Sequence, residues 1–111
     1  MTAADPAAEG RRRADQLLAL LPDDDDAATA LLESLTELRD LVFLGAGLTA
    51  LARAERGELP PAQRAQANTR QMHLAALRDA SRTDPAGLRR WLRRAADEVL
   101  FLRTLRAAAQ P

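Results

Sequence analysis

The sequence contains no cysteine, lysine, isoleucine or tyrosine, and only one tryptophan, one histidine and two serines. Without cysteine there is no disulfide framework and no thiolate chemistry, so the chain does not report its redox compartment. His73 is the only histidine, so a zinc site would need carboxylates for every other ligand. Neither Ser34 nor Ser81 stands near that histidine or in a nucleophile-elbow context. Valine occurs only at Val42 and Val99 and aromatics make up 3% of residues, so strand formers are nearly missing. No run approaches the roughly 18 apolar residues of a membrane span. The opening MTAADPAAEGRRR lacks the apolar centre of a signal peptide. A cytoplasmic protein that uses no cofactor, no metal and no membrane is the expectation.

What remains is rich in Ala, Leu, Arg, Glu and Gln, the strong helix formers. The composition predicts an all-α fold, and 111 residues suffice for one core, hence a single domain over 1–111. All sixteen cations are arginine and sixteen carboxylates balance them, so no global field steers the chain onto nucleic acid. An all-arginine cation set is what GC-rich bacterial coding produces.

Asp5-Pro6 and Asp84-Pro85 read as helix starts, with Asp capping the first amides and Pro in the first turn. Helices are predicted over 6–21, 26–56, 61–80 and 85–108, making a bundle of four to five helices with short loops and mainly antiparallel neighbours. In the second segment Leu31, Leu35, Leu38 and Val42 share one face, whereas Leu44, Leu48 and Leu51 fall on the side of Glu33, Glu37 and Asp40. The stripe therefore rotates, and a kink or break near Gly45–Gly47 is expected, with a close helix crossing over the glycines as the alternative. The third helix offers a small inner face through Ala62, Ala65, Thr69, Met72, Ala76 and Ala80, as a lid on the rest. The expected core draws on Leu17, Leu20, Leu21, Leu31, Leu35, Leu38, Val42, Leu48, Met72, Leu88, Trp91, Leu92, Val99 and Leu102.

Three groups of residues bear on function. In GLRRWLRRAADEVLFL, Arg89, Arg90, Arg93 and Arg94 occupy one side of a helix whose other side carries Leu88, Trp91, Leu92 and Ala95. Those guanidiniums suit phosphates or an acidic partner, or simply a solvated face. Leu100 and Phe101 project on the arginine side and Leu105 lies beyond the apolar stripe, which points to a surface for another protein or a second copy. The acidic run Asp23 to Asp26 lacks the alternation of a calcium loop and reads as a helix N-terminus stabilised by the macrodipole.

Glu37 and Asp40 form E-x-x-D ahead of an apolar run. This stretch, residues 33–52, resembles the magnesium-binding helix of the all-α nucleotide pyrophosphohydrolases. The resemblance implies a metal held between these carboxylates and a second acidic pair, whose place here would fall to Asp23 and Asp26. The leading expectation remains a non-catalytic protein-binding module (adaptor, chaperone-like, antitoxin-like or regulatory) that self-associates. A DNA- or RNA-binding regulator is the alternative, and a magnesium-dependent nucleotide pyrophosphohydrolase the second alternative.

Overall fold

In the computed structural model, which describes residues 5–109, the chain forms five helices and, among those residues, no strand. The ends of the expected 1–111 domain lie outside them. Helix α1 spans Pro6–Leu20 and α2 Asp25–Ser34; α3 spans Leu38–Gly57, α4 Pro61–Ala80 and α5 Pro85–Ala109. The two Asp-Pro pairs start helices as expected, with the Asp84 carboxylate accepting from the Ala86 amide at 3.2 Å, and Asp24 acts in the same way. The Asp5 carboxylate accepts from the Ala7 amide at 3.0 Å, and the Asp24 carboxylate from the Ala27 amide at 2.9 Å. Asp25 and Asp26 then occupy the first turn of α2, where the helix dipole favours negative charge.

The second predicted segment is indeed two helices, but the break falls at Leu35–Glu37 and not at the glycines. Leu35 and Glu37 are extended, with ψ of 96° and 134°, and α3 runs unbroken through Gly45 and Gly47. Neither Pro nor Gly interrupts the chain there. The break is held by tertiary contacts: Leu35 is buried, and Arg89 of α5 donates to the Leu32 and Leu35 carbonyls at 3.2 and 2.8 Å. The Leu32 carbonyl also accepts from the Leu35 cap amide at 3.3 Å, and the Leu35 carbonyl lies just past the end of α2, where no further helical amide follows to meet it.

The break resets the phase of α3, which buries Leu41, Leu44, Leu48, Leu51 and Ala52. Leu38 and Val42, expected in the core, are 43% and 53% exposed. Gly45 and Gly47 serve close crossings. A Cβ on Gly47 would lie 3.0 Å from the Gly10 carbonyl oxygen and 3.3 Å from Ala14 Cβ, so small residues let α1 and α3 touch backbone to backbone. A Cβ on Gly45 would stand 2.5 Å from the Trp91 ring.

Helix α3 is the centre of the fold, packed mainly against α1 and α5. Gly45 meets Trp91 and Glu55 meets Arg103 and Arg106, so α3 and α5 run parallel, while α4 runs antiparallel to α5, with Arg70 on Glu98 and Arg78 beside Trp91. Helix α4 is the return between them, and Leu59, buried in the α3–α4 turn, anchors its start. Leu17, Leu41, Leu44, Leu48, Leu92, Val99 and Leu102 form the fully buried centre. Each side chain of that kind contributes about 1.5–3 kcal/mol relative to exposure.

The inner face of α4 is the reverse of the expected one. Met72 is 71% exposed, Ala62, Ala65, Thr69, Ala76 and Ala80 also face outward, and only Ala67 is fully buried. Leu74 and Leu77 pack against the core instead, beside polar links from Arg70, Gln71 and Arg78. Alanines gain little from burial, so the two leucines and the guanidinium contacts set the rotation of α4. Leu20 and Leu31, placed in the core by sequence, sit partly buried at its edge.

Candidate partner-binding groove

The four arginines of RRWLRR separate by environment. Arg89 caps the end of α2, as above. Arg93 hydrogen-bonds Asp25, which raises its pKa, and its Nε lies 3.7 Å from Asp97. Among the described residues Arg90 pairs only with the exposed Asp84, at 3.8 Å, and Arg94 borders a polar groove of about 480 Å³ with Arg70, His73 and Phe101. Near the N-terminus, Arg12 and Arg13 engage Glu9, and Arg13 also lies 3.4 Å from Asp40. The Arg12 guanidinium holds the Glu9 carboxyl below its ordinary pKa.

The expected partner surface is half-buried. Leu100 and Leu105 pack against the edge of the core, and the Arg70 guanidinium covers the Phe101 ring at 4.1 Å from its centre. Arg70 also grips the buried Glu98 carboxylate through three hydrogen bonds of 2.7–3.1 Å, which raise the arginine's pKa. A second buried carboxylate, Glu55, lies 3.3 Å from Arg103 and 3.1 Å from Arg106. The Arg106 contact has ion-pair distance without hydrogen-bond alignment, so Oε2 of Glu55 accepts no hydrogen bond among the described residues.

The carboxylates the sequence singles out are spread over separate elements. Glu37 precedes the first turn of α3 in extended backbone, Asp40 faces Arg13, and Asp23 and Asp26 lie at the α1–α2 turn and the start of α2. An E-x-x-E pair that sequence reasoning passed over occurs at Glu55 and Glu58, yet Glu55 is already committed to two arginines. Among the described residues no three His, Asp or Glu side chains gather as metal ligands. His73 is exposed, and the Ser34 hydroxyl donates to the Leu31 carbonyl at 2.6 Å.

The feature that sequence reasoning missed is an apolar groove of about 500 Å³ between α3 and the α4–α5 end of the molecule. Its α3 wall carries Val42, Ala46, Thr49 and Ala50, and its other side Leu88 and Trp91. Leu38, one turn before Val42, continues the exposed apolar strip. Gly45 admits the Trp91 ring against α3, and the Arg78 guanidinium lies 5.9 Å from the ring centre. The indole is buried and its Nε1 has no hydrogen-bond acceptor among the described residues.

Three arginines, Arg53, Arg78 and Arg82, stand around this floor with one carboxylate, Asp79. Asp79 lies 3.5 Å from Arg78, while Arg53 and Arg82 make no ion pair among the described residues. Burial and, secondarily, the charge of Arg53 lower the pKa of nearby Arg56, whose guanidinium donates to Gln71 at 3.1 Å. The signal for this groove was present as the rotated leucine stripe, which turns Val42 outward once the phase is reset at Leu35.

Among the described residues no helix is long and apolar enough to cross a membrane. The chain matches no protein-family model, no curated protein and no solved structure. Functional meaning therefore rests on the geometry.

Proposed function

We propose that the chain is a non-catalytic binding module that holds a helix of another protein in the groove between α3 and α5. The observation that carries this reading is Val42: a β-branched apolar side chain 53% exposed, in a strip that borders a tryptophan-floored groove. Apolar surface gathered in a concavity favours a partner, whereas single exposed leucines need none. The α3 wall runs from Val42 to Arg53, about three helical turns or ~16 Å at 1.5 Å per residue, a length that matches a short docked helix. Engagement of Arg89 and Arg93 within the chain also favours protein over phosphate as the thing bound. The partner class is the one the sequence suggested, and the surface moves from Leu100, Phe101 and Leu105 to the groove.

The test is selection of displayed helical peptides on the immobilised protein, repeated with Val42→Glu and with Met72→Glu. Both positions are exposed, and Met72 lies on the outer face of α4, so either variant folds. Peptides that bind the parent and Met72→Glu but not Val42→Glu support the reading. Peptides indifferent to Val42→Glu, or none enriched at all, overturn it.

A further inference from the structure

The charge around the groove specifies the occupant further; this step rests on the proposed function. We infer that the bound segment is an amphipathic helix of a partner protein with an apolar face spaced i, i+3 or i+4, and i+7, flanked by Asp and Glu.

The floor sets the apolar spacing. Val42, Ala46 and Ala50 succeed one another at one-turn intervals along α3, with Leu88 and Trp91 opposite, so anchors one turn apart drop between the two walls. Ala46 and Ala50 are exposed and small, which lets an occupant's backbone come close to α3. The rim sets the charge. Three guanidiniums face one carboxylate, and Asp79 is already beside Arg78. Arg53 and Arg82, exposed and without an ion pair among the described residues, remain to meet acidic groups. A basic flank would place like charges against them, which costs affinity and slows encounter. The chain as a whole is neutral, so this preference is local and does not arise from a general attraction for anions.

Two other features carry charge that is largely engaged within the chain. The polar groove beside Phe101 has Arg70 paired with Glu98, and in the acidic run Asp24 caps α2 while Asp25 and Asp26 occupy its first turn.

The experiment uses a displayed library with fixed leucines at i, i+3, i+4 and i+7 and random flanks, then one enriched peptide made synthetically in acid-flanked and lysine-flanked forms. Binding is read from the emission of Trp91, the only tryptophan. The expected result is an enriched flank rich in Asp and Glu, with the acidic form binding about tenfold tighter than its lysine counterpart at low salt and the gap narrowing as salt rises. Arg53→Glu with Arg82→Glu should reverse the preference while leaving the fold's circular dichroism unchanged. Binding that is lost in Val42→Glu but carries no acidic bias overturns this inference and leaves the binding module standing. Absence of any Val42-dependent peptide removes both. A mass in light scattering that doubles for the parent and not for Val42→Glu assigns the groove to a second copy and also overturns the inference.

Discussion

Arg89 and Arg90 are neighbours in sequence with opposite surroundings. Arg89 reaches two carbonyls at the broken end of α2, whereas Arg90 is exposed and 3.8 Å from an equally exposed Asp84. Hydrogen bonds from a charged donor are worth roughly 1.5–3 kcal/mol, and an exposed pair about 0–1 kcal/mol. Arg89→Met should therefore lower unfolding free energy in urea by about 2 kcal/mol, and Arg90→Met by under about 0.5 kcal/mol. Equal losses would mean that Arg89 does not hold the break. The glycines make a second graded series. A Cβ on Gly10 would strike the Phe43 carbonyl, one on Gly47 would press neighbours at 3.0–3.3 Å, and one on Gly57 would meet nothing within 4 Å. Alanine should cost about 1–3 kcal/mol at Gly10 and gain about 0.4–1 kcal/mol at Gly57, with Gly47 between them. Urea midpoints of the three variants check the order.

Among the elements, α4 depends least on apolar burial. It is fixed by Arg70 on Glu98, Arg70 over Phe101 and Arg78 beside Trp91, with Leu74 and Leu77 as its apolar share. Arg70→Ala leaves the 7% exposed Glu98 without its counterion. Removing one partner of a buried pair costs about 3–5 kcal/mol, and the half-exposed Arg70 side chain brings this nearer ~2 kcal/mol. The loss should be local. Amides of α4 should exchange with deuterium well before those of α3 and α5, and uniform acceleration along the chain would refute the assignment. Helix existence and most ends were legible because Asp-Pro pairs and prolines mark them in the sequence. The break at Leu35–Glu37 was not, because its cause is Arg89, 54 residues away from Leu35. Placing the phase change at Gly45 put Val42 inside and left Leu41 uncounted. The rotation of α4 was hidden for a similar reason, since its alanine face has regular spacing and the contacts that decide its orientation are polar.

At the scale of the whole molecule, α3 and α5 lie parallel with α4 returning between them. The apolar end of α5 that looked surplus in sequence is partly absorbed by this arrangement. Leu100 and Leu105 abut the core and Phe101 lies under Arg70. Leu100→Glu with Phe101→Glu should consequently weaken the folded chain, by about 2 kcal/mol or more for charges placed at partly buried apolar sites, without changing its mass in light scattering. A variant of full stability whose mass halves would restore those residues as the self-association surface. The arginine-rich character of the molecule was plain from sequence. Which guanidiniums stay free was not, since that depends on carbonyls and carboxylates brought from distant helices.

The fastening of α4 by guanidinium side chains bears on how the protein comes apart. Guanidinium chloride is a salt of the same cation, so it screens the Glu98 carboxylate and competes for it and for the Phe101 face, while urea does neither. The two denaturants should therefore unfold the chain in different orders. In urea the helices leave together, whereas dilute guanidinium detaches α4 first and opens the indole of Trp91 to solvent while α1, α3 and α5 still hold.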